Sequence, residues 1–324
     1  MNTDYTVTIT AREQAELLPA ERDARPLGPQ EVAGRTLVTL ISAGTELASA
    51  YQGQSFPARP GYAAVFEVEE VGAEVRGLGP GDHAFCMGSH RSWQRMGQAE
   101  ALKLPAGLPP PEAVFARLMG VSLSTLTTTT ARPPQTVLVT GLGLVGHLAA
   151  QMFQSCGYDV LACDPDERRR ALAHEKGIAS VYPSVRAPDF PAAGRVALVL
   201  ECSGHEQAAL DGCRMVRKRG EVVLVGTPWR RKTELYAQEL LHAVFHHYVV
   251  LRSGWEWELP LHPAEFRTGS IYDSLAAALR WLAEGRVLVA GLAQIVSPHD
   301  CQAAYQDLLH GRASRLAMVF DWRE

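Results

Sequence analysis

The first part of the chain carries short stretches in which apolar and polar residues alternate. The segment YTVTIT (5–10) alternates with a period of two, and GRTLVTLISAG (34–44) and AAVFEVEEVG (63–72) are strand-like runs that close on glycine. Glycine and proline punctuate the connections, as in VRGLGPGDHAFC (75–86). The pattern predicts a β-rich domain, built like a small barrel with long loops.

From about residue 136 the pattern changes to continuous apolar runs separated by helix-like segments. The runs predict strands buried on both faces of a sheet, and they are TVLVTG (136–141), DVLACD (159–164), RVALVLECSG (195–204), EVVLVGTP (221–228) and YVVLRSG (248–254). The predicted helices are LVGHLAAQMFQSCG (144–157), PDERRRALAHEKG (165–177), HEQAALDGCRMVRKRG (205–220) and LYAQELLHAVFHH (235–247). Strands that alternate with helices predict βαβ units and a doubly wound parallel sheet, an α/β fold.

After about residue 253 the alternation stops. IYDSLAAALRWLAEG (271–285) and SPHDCQAAYQDLLHG (297–311) have apolar residues at helical spacing, and RLAMVFDW (315–322) predicts a closing strand. We expect this last part to return to the first, β-rich domain and to complete it.

Composition narrows the class of protein. A chain of 324 residues with 47% hydrophobic and 20% charged residues favours a globular protein of two domains. A net charge of -4 gives no reason to expect nucleic acid or a membrane surface as a partner. The N-terminus has no secretory pattern, and the six cysteines form no C-x-x-C pair. We therefore expect a cytoplasmic protein with free, mostly buried thiols.

Three glycines follow the first buried strand in the spacing G-x-G-x-x-G. They are Gly141, Gly143 and Gly146, and the helix that they open begins with Leu144 and Val145. A strand before this motif and a helix after it are the context that a dinucleotide-binding loop requires. The first glycine permits a tight turn, the second lets the backbone approach a pyrophosphate at the helix N-terminus, and the third allows close packing.

The end of the next strand predicts the choice of cofactor. Asp164 lies about twenty residues after the loop, where a carboxylate accepts hydrogen bonds from the adenosine ribose and repels a 2′-phosphate. We therefore expect NAD in preference to NADP. Arg168, Arg169 and Arg170 follow at once, and arginines here are able to hold a phosphate. We expect them to form the solvated start of a helix instead, with Arg169 over the adenine.

The order of these features resembles the medium-chain dehydrogenase/reductase family, the relatives of zinc alcohol dehydrogenase. PGYAAVFEVEEVGAEVRGLGPGDHAF (60–85) is similar to that family's G-H-E-x-x-G-x-V segment and the G-D-x-V after it. ECSGHEQAALDGCRMVRKRGEVVLVGTP (201–228) is similar to its strand–helix–strand leading to the nicotinamide half, which implies Cys202 and Gly226 as cofactor contacts. The resemblance implies a GroES-like catalytic domain at 1–117, a Rossmann domain at 118–252 and a return segment at 253–324.

The chain departs from this family where the catalytic zinc would bind. The family's C-G-T-D turn here has Ala43 in place of cysteine, and its G-H-E position has Tyr62 in place of histidine. LMGVSLSTLT (118–127), near the expected later ligand, has no cysteine, histidine or acid. Because alanine cannot bind a metal, we expect no zinc. The SAGTE turn (42–46) resembles that of the dehydrogenases of bacteriochlorophyllide synthesis.

Two hydroxyl residues are the leading candidates for proton transfer. Thr45 matches the family's serine or threonine that hydrogen-bonds the reacting oxygen, although a turn threonine often bonds only to its own backbone. Tyr62 replaces a zinc ligand, and a phenol with an ordinary pKa near 10 is protonated at neutral pH. It would donate a proton to a carbonyl, or else simply fill the space left by the metal.

Further candidates are less specific. His90, in GSHRSW (88–93), is expected on a loop over the substrate, where it would act as a base or would merely be exposed. Glu46 occupies the acidic position after the threonine, which in the family supports the site. Aromatic side chains expected to line the pocket or to pack at a domain junction are Trp93, Trp255 and Trp257. Basic side chains that would anchor an anionic substrate or simply lie at the surface are Arg91, Arg95, Arg230, Arg231 and Lys232.

The sequence thus favours a zinc-independent, NAD(H)-dependent alcohol dehydrogenase or ketone reductase that acts on a small molecule. One alternative is an NADPH-dependent enone or quinone reductase, and another is a nucleotide-binding protein without activity. The family also implies a homodimer in which HHYVVLRSG (246–254) pairs with its twin at the sheet edge.

Overall fold

The computed structural model describes residues 3–191 and 194–323. The chain forms two compact units. The first consists of the residues up to Arg117 together with those from Val289 onward, and the second is Leu118–Leu288. Residues 253–288, which the sequence assigned to the return segment, thus cluster with the second unit instead. The end of this segment is hydrogen-bonded to α4 of the second unit, since the Gln151 side chain both accepts from and donates to the backbone of Leu288, at 2.7 and 3.2 Å.

The first unit begins with short strands and two single-turn helices. They are β1 (Asp4–Ala11), β2 (Gln14–Ala20), β3 (Glu31–Leu40), α1 (Ala43–Glu46), β4 (Ala64–Val71), β5 (His83–Cys86), β6 (Trp93–Gly97), β7 (Leu102–Lys103) and α2 (Pro110–Ala113). A π-helical turn, Leu47–Tyr51, continues α1. The predicted turn at 43–46 is therefore helical.

The middle of the chain alternates helices and strands, and the chain then returns to the first unit. The elements are α3 (Ala116–Thr128), β8 (Thr136–Thr140), α4 (Leu144–Ser155), β9 (Asp159–Cys163), α5 (Glu167–Glu175), β10 (Ser180–Tyr182), β11 (Val196–Glu201), α6 (Glu206–Met215), β12 (Val216–Leu224), α7 (Ala237–His247), β13 (Val250–Ser253) and α8 (Ile271–Ala283). The returning elements are β14 (Ala293–Val296), α9 (Cys301–Leu309) and β15 (Ala317–Asp321).

The second unit contains the predicted parallel sheet. Its strands run in the order β10-β9-β8-β11-β12-β13, and every neighbouring pair is parallel. Along β8, Val137 and Val139 pack into one buried cluster with Phe153 of α4, while Leu138 packs into another with Leu210 of α6. The apolar run is continuous because alternate residues serve opposite faces of the sheet. The predicted Rossmann-type α/β fold is confirmed.

The first unit is β-rich, also as predicted. A seven-stranded sheet has the order β14-β15-β3-β4-β5-β7, and β6 also pairs with β3. The two closing strands join it because β15 pairs antiparallel with β3. Strands β1 and β2 form a separate hairpin that packs with α9 in a cluster including Ile9, Tyr51 and Tyr305. The β3 strand therefore leads directly from the centre of the sheet into α1.

One predicted helix ends earlier than expected. The segment VRKRG (216–220) was assigned to the third helix, but α6 ends at Met215 and Val216 begins β12. Val216 pairs with Val196 in the parallel sheet, so its backbone is extended. The basic residues that suggested a helix C-terminus are instead exposed positions on a strand.

No helix in the described part of the chain is long and apolar enough to cross a membrane.

Candidate functional site

The glycine loop between β8 and α4 is closed by contacts that leave no room for larger side chains. Gly141 has a positive φ of 86°, and a Cβ there would lie 2.9 Å from the backbone nitrogen of Ser203. A Cβ on Gly146 would lie 1.8 Å from the carbonyl oxygen of Gly141. Both glycines are therefore required by the turn itself, as the motif predicts.

The second glycine differs because its surroundings are open. Gly143 is the N-cap of α4 in an extended conformation, and a Cβ added to it would meet no atom within 4 Å. No side chain caps this end of the helix, and Leu144 and Val145 form its first turn. The partial positive charge of an uncapped N-terminus favours an anionic group such as a pyrophosphate.

The Asp164 side chain stabilises this loop by hydrogen bonds to its backbone. Its carboxylate accepts the backbone N–H of Leu142 at 2.7 Å and that of Asp166 at 2.8 Å, and the side chain is almost fully buried. Arg169 Nη1 lies 3.4 Å from the same carboxylate, and its side chain is 45% exposed. The predicted acid is therefore in place at the end of β9, but a neighbouring guanidinium partly offsets its charge.

The turns after β11 and β12 pack tightly against each other. A Cβ on Gly226 would lie 2.4 Å from the backbone nitrogen of Gly204 and 2.8 Å from the carbonyl oxygen of Cys202. Glu201, which sequence reasoning missed, accepts the backbone N–H groups of Ser203 at 2.7 Å and Gly204 at 3.0 Å. Burial raises the pKa of Glu201 and outweighs these hydrogen bonds.

A mostly apolar cavity of about 300 Å³ opens beside these turns. Glu201 and Gly226 line it together with residues of α6 and α7, including Leu210, Tyr236 and Leu240.

In the first unit the structure brings together Ser42, Thr45 and Tyr62. The Tyr62 hydroxyl donates a short hydrogen bond to Ser42 Oγ, and the Thr45 hydroxyl is close enough to act on the pKa of Tyr62. The buried guanidinium of Arg117 lies 4.6 Å from the centre of the Tyr62 ring. Burial raises the pKa of Tyr62 above its ordinary value, although the two hydroxyls and Arg117 act in the opposite direction. Tyr62 is therefore a protonated phenol at neutral pH.

His90 is not on an exposed loop, contrary to the sequence-based expectation. Its ring is completely buried, with Nε2 3.0 Å from Glu46 Oε2 and Nδ1 2.8 Å from Thr39 Oγ1. The hydroxyl of Tyr305 donates to the same Glu46 oxygen at 2.5 Å. Burial raises the pKa of Glu46, but the charge and hydrogen bond of His90 and the donors Tyr305 and Ser42 outweigh it, so the net pKa is lowered.

The donor atoms at the family's zinc position differ from the usual ligands. Ala43 offers a methyl group, and Tyr62 offers a phenol that keeps its proton. Glu46 and His90 are bound to each other. Within residues 3–191 and 194–323, no group of three or more histidine, cysteine, aspartate or glutamate side chains is arranged to hold a metal ion. These residues do not fit a tetrahedral zinc site.

The remaining candidates are dispersed. Trp93 carries the guanidinium of Arg22 at 3.6 Å from its ring centre. Trp255 directly precedes a short 3-10 turn of the second unit, Glu256–Glu258, and Trp257 lies within it; both are exposed. Most of the basic candidates bond to nearby protein groups rather than lining a common pocket, with contacts from Arg91 to Gln94, Arg95 to Glu31, Arg231 to Glu234 and Lys232 to Ser203.

Comparison with known proteins finds a family match within the second unit. Residues 145–256 match the family described as zinc-binding dehydrogenase. An alcohol dehydrogenase from Rhizobium meliloti is 33% identical over 132 residues, 39% of this chain and 38% of that protein. A 2-dehydro-3-deoxy-L-galactonate 5-dehydrogenase from Pseudoalteromonas atlantica is 26% identical over 128 residues, 38% of each protein. The chain thus spans about two fifths of the length of these curated relatives.

The fold is shared over a much longer stretch. A candidate zinc-binding dehydrogenase from Sinorhizobium meliloti 1021, solved bound to NADP, matches with a TM-score of 0.80 and 15% identity over 99% of this chain and 100% of that chain. At this identity the likeness concerns the fold, which pairs a Rossmann domain with a GroES-like one. The match to the zinc-binding dehydrogenase family therefore covers residues 145–256, and the likeness over the rest of the chain is one of fold.

Proposed function

We propose that this protein interconverts an alcohol and a carbonyl compound with NAD(H), without a bound zinc ion. The observation that carries the proposal is the Tyr62 phenol, which is hydrogen-bonded to Ser42 and lies beside Thr45 at the position where the family has a metal ligand. A nicotinamide cofactor is implied by the family and supplies or accepts the hydride. The chain's own residues must then supply or accept the proton.

In the reducing direction Tyr62 donates its phenolic proton to the carbonyl oxygen as the hydride reaches the carbon, which gives a neutral alcohol. The raised pKa of Tyr62 keeps the proton available at neutral pH. The Ser42 and Thr45 hydroxyls stabilise the phenolate left behind by hydrogen bonding, and the Arg117 guanidinium beside the ring stabilises its charge. In the oxidising direction Tyr62 must first lose its proton to solvent before the phenolate takes the proton of the alcohol, so the raised pKa of Tyr62 favours reduction at neutral pH.

The cofactor is held by the residues of the second unit. The uncapped first turn of α4 at Gly143, Leu144 and Val145 would receive the pyrophosphate, and Asp164 supports the loop and would favour NAD. The turns at Cys202 and Gly226 would contact the nicotinamide half of the cofactor. Because relatives bear the names alcohol dehydrogenase and 2-dehydro-3-deoxy-L-galactonate 5-dehydrogenase, simple alcohols and hydroxylated sugar acids are the first substrates to test.

The test combines turnover with metal analysis. A panel of alcohols and carbonyl compounds is assayed with NADH and NAD by absorbance of the reduced nicotinamide, before and after dialysis against a chelator. We expect unchanged turnover after chelation and less than one tenth of an equivalent of zinc per chain, on the order of trace contamination. Activity that disappears on chelation and returns with zinc overturns the metal-free mechanism.

Tyr62→Phe isolates the proton donor. Removal of a general acid typically lowers the rate by about a hundredfold to ten-thousandfold, so we expect kcat to fall in this range while NADH binding is unchanged. The matched control is Tyr5→Phe, which removes a hydroxyl from a more exposed strand residue. If Tyr62→Phe retains wild-type kcat, Tyr62 is not the donor. Silence on every substrate despite tight NADH binding would favour a nucleotide-binding protein without activity.

The NADPH-dependent enone or quinone reductase is kept as a second candidate because Arg169 lies beside Asp164 and is 45% exposed. An arginine at this position is suited to a 2′-phosphate. Dissociation constants for NADH and NADPH separate the two candidates. A strong preference for NADPH, together with reduction of enones and no reduction of ketones, would replace the primary proposal.

We also propose that the protein is a cytoplasmic homodimer formed through the edge strand β13. This strand ends the order of the parallel sheet, and the adjacent α7 exposes Leu241 and Phe245, the latter 76% exposed. Sedimentation velocity tests the state, and a monomer contradicts the proposal. Phe245→Glu should dissociate the dimer, whereas the control Phe266→Glu, at a fully exposed phenylalanine elsewhere, should not.

A further inference from the structure

We propose that Glu46, His90 and Tyr305 form a buried positioning cluster that holds Thr45 and Tyr62 in their reactive arrangement. The proposal rests on the proposed function, since it takes Thr45 and Tyr62 as the reacting groups. None of the three cluster residues is more than 2% exposed. They act through the residues that they hold rather than by touching the substrate.

Glu46 ties the active-site turn together from inside the protein. It lies one residue after Thr45 in α1, and its Oε1 accepts the backbone N–H of Ser42 at 2.7 Å. Its Oε2 receives His90 Nε2 at 3.0 Å and the Tyr305 hydroxyl at 2.5 Å. One carboxylate therefore fixes the start of the turn and connects it to two distant parts of the chain. A buried carboxylate requires such partners because its desolvation is unfavourable.

His90 supports the segment that carries Tyr62. Its backbone N–H donates to the Pro60 carbonyl at 3.0 Å, and its ring packs directly against Gly61. A Cβ on Gly61 would lie 2.5 Å from the His90 backbone nitrogen and 2.8 Å from its ring carbon Cγ. Gly61 also has a positive φ of 98°, which side chains rarely adopt. Gly61, the residue before Tyr62, therefore packs so closely against His90 that a larger residue does not fit.

The far side of the His90 ring is held as firmly as the near side. Nδ1 lies 2.8 Å from Thr39 Oγ1, and this oxygen also accepts the Trp322 Nε1–H at 3.0 Å. The Phe320 ring meets the imidazole edge-on at a centroid distance of 5.2 Å. His90 consequently has a single well-defined position, in which Nε2 reaches Glu46.

Tyr305 brings α9 into the same cluster. It is completely buried and lies in stacking contact with Tyr51, with ring centroids 5.0 Å apart. The two tyrosines differ in what their hydroxyls bind. Tyr305 donates to Glu46, whereas Tyr51 donates to the Glu13 carbonyl at 2.8 Å and accepts from Gln306 at 2.7 Å. Tyr51 is thus a matched neighbour without a bond to the cluster.

The physical consequence concerns both halves of the proposed site. Thr45 lies on the element that Glu46 holds, and Tyr62 follows the glycine that His90 supports. A shift of the Glu46–His90 contact therefore moves the two hydroxyl groups relative to each other. Misplacement of reacting groups by about 1 Å lowers rates by up to about a hundredfold.

The test compares Tyr305→Phe with the control Tyr51→Phe. Each substitution removes one phenolic hydroxyl from the same part of the hydrophobic core and keeps the ring, but only Tyr305 belongs to the positioning cluster. We expect Tyr305→Phe to lower kcat about tenfold with little change in substrate KM, and Tyr51→Phe to stay within about twofold of wild type. Glu46→Gln should lower kcat further, because it weakens the contacts to both His90 and Tyr305.

A readout that does not need turnover separates this proposal from the proposed function. In protein labelled with [¹³Cζ]tyrosine, the Tyr62 resonance is assigned by its loss in Tyr62→Phe. We expect Tyr305→Phe to shift this resonance and its titration midpoint, and Tyr51→Phe to leave both unchanged. If the wild-type protein turns over no substrate but Tyr305→Phe still shifts the Tyr62 resonance, the positioning cluster is supported and the proposed reaction is refuted. An unmoved resonance in folded Tyr305→Phe, or equal loss of kcat in both variants, overturns the cluster.

Discussion

Two alanine substitutions in the glycine loop should separate its structural requirement from its binding requirement. At Gly146 a Cβ would lie 1.8 Å from the Gly141 carbonyl oxygen, so the helix or the turn must move by more than about 1 Å to reach ordinary contact. Overpacking of this kind costs roughly 1–3 kcal/mol, and the higher helix propensity of alanine returns about 1 kcal/mol. We expect Gly146→Ala to destabilise the protein by up to about 2 kcal/mol and to weaken NADH binding, since α4 begins at this turn.

At Gly143 the same substitution meets no protein atom within 4 Å, and the backbone is already in a conformation that alanine adopts. Loss of a good N-cap residue and reduced freedom of the unfolded chain are opposing effects of up to about 1 kcal/mol each. Stability should therefore change by less than about 1 kcal/mol. The new methyl group would nevertheless occupy the space in which we expect the pyrophosphate, and loss of charged hydrogen bonds there should weaken NADH binding roughly tenfold to a hundredfold.

Urea unfolding gives the stability of each variant, and quenching of tryptophan fluorescence gives the dissociation constant for NADH. The decisive comparison is between the two variants rather than with wild type alone. A Gly143→Ala protein that binds NADH as tightly as wild type would refute the assignment of the pyrophosphate to this helix N-terminus. A stable, fully binding Gly146→Ala protein would refute the close packing of α4 on the turn.

Three further predictions concern the cofactor preference, the buried acid and the thiols. Asp164→Ser should weaken NADH binding relative to NADPH binding, and it should loosen the loop at Leu142, whose N–H loses a charged acceptor. The ratio of the dissociation constants for NADH and NADPH measures the change in preference, and an unchanged ratio contradicts the prediction. The pKa of Glu46 is lower in the folded protein than in the unfolded chain, so ionised Glu46 stabilises the fold above its unfolded-state pKa, and this stabilisation is lost as the pH falls through its folded-state pKa. On acidification below about pH 4.5, wild type should therefore lose more stability than Glu46→Gln, as measured by urea unfolding. Parallel stability curves for the two proteins would contradict this prediction. Because burial raises the pKa of Cys86 and of Cys163 to about 12, these thiols should react with a disulfide reagent only after unfolding, and rapid reaction of both in the native protein would be inconsistent with their burial.

The parts of the fold that the sequence predicts well are those encoded by neighbours along the chain. The apolar run of β8, the G-x-G-x-x-G spacing and the helix of α4 all depend on residues within about twenty positions, and each lies where it was expected. The predicted end of α6 was wrong because the basic residues at 217–219 are compatible with either a helix terminus or an exposed strand. Pairing of Val216 with Val196 decides the matter, and that contact is not local.

The candidate site shows the same division. Tyr62 and Thr45 were found through their positions in a family pattern, and the structure brings their hydroxyls together. The environment of His90 could not be predicted, since its partner Glu46 is 44 residues away. Tyr305, 259 residues from Glu46, carries no sequence signal of any kind. A histidine in a glycine- and serine-rich segment is usually exposed, and only the packed structure reveals that this one is not.

The burial of Glu46 has a consequence for how the proposed site remains ordered. A carboxylate removed from water without a partner is unfavourable by several kcal/mol, so an acid at this position must find a positive or hydrogen-bonding group. In this chain the group is His90, which meets Glu46 on one side and is shaped to Gly61 on the other. The side chain that satisfies the buried acid is thereby the one that supports Tyr62. Replacing Gly61 with alanine should consequently disturb Tyr62 and Glu46 together, which would appear as a shifted Tyr62 resonance and a changed acid limb of stability in the same protein. If only one of the two changes, the acid and the tyrosine are held independently, and the coupling argued here is wrong.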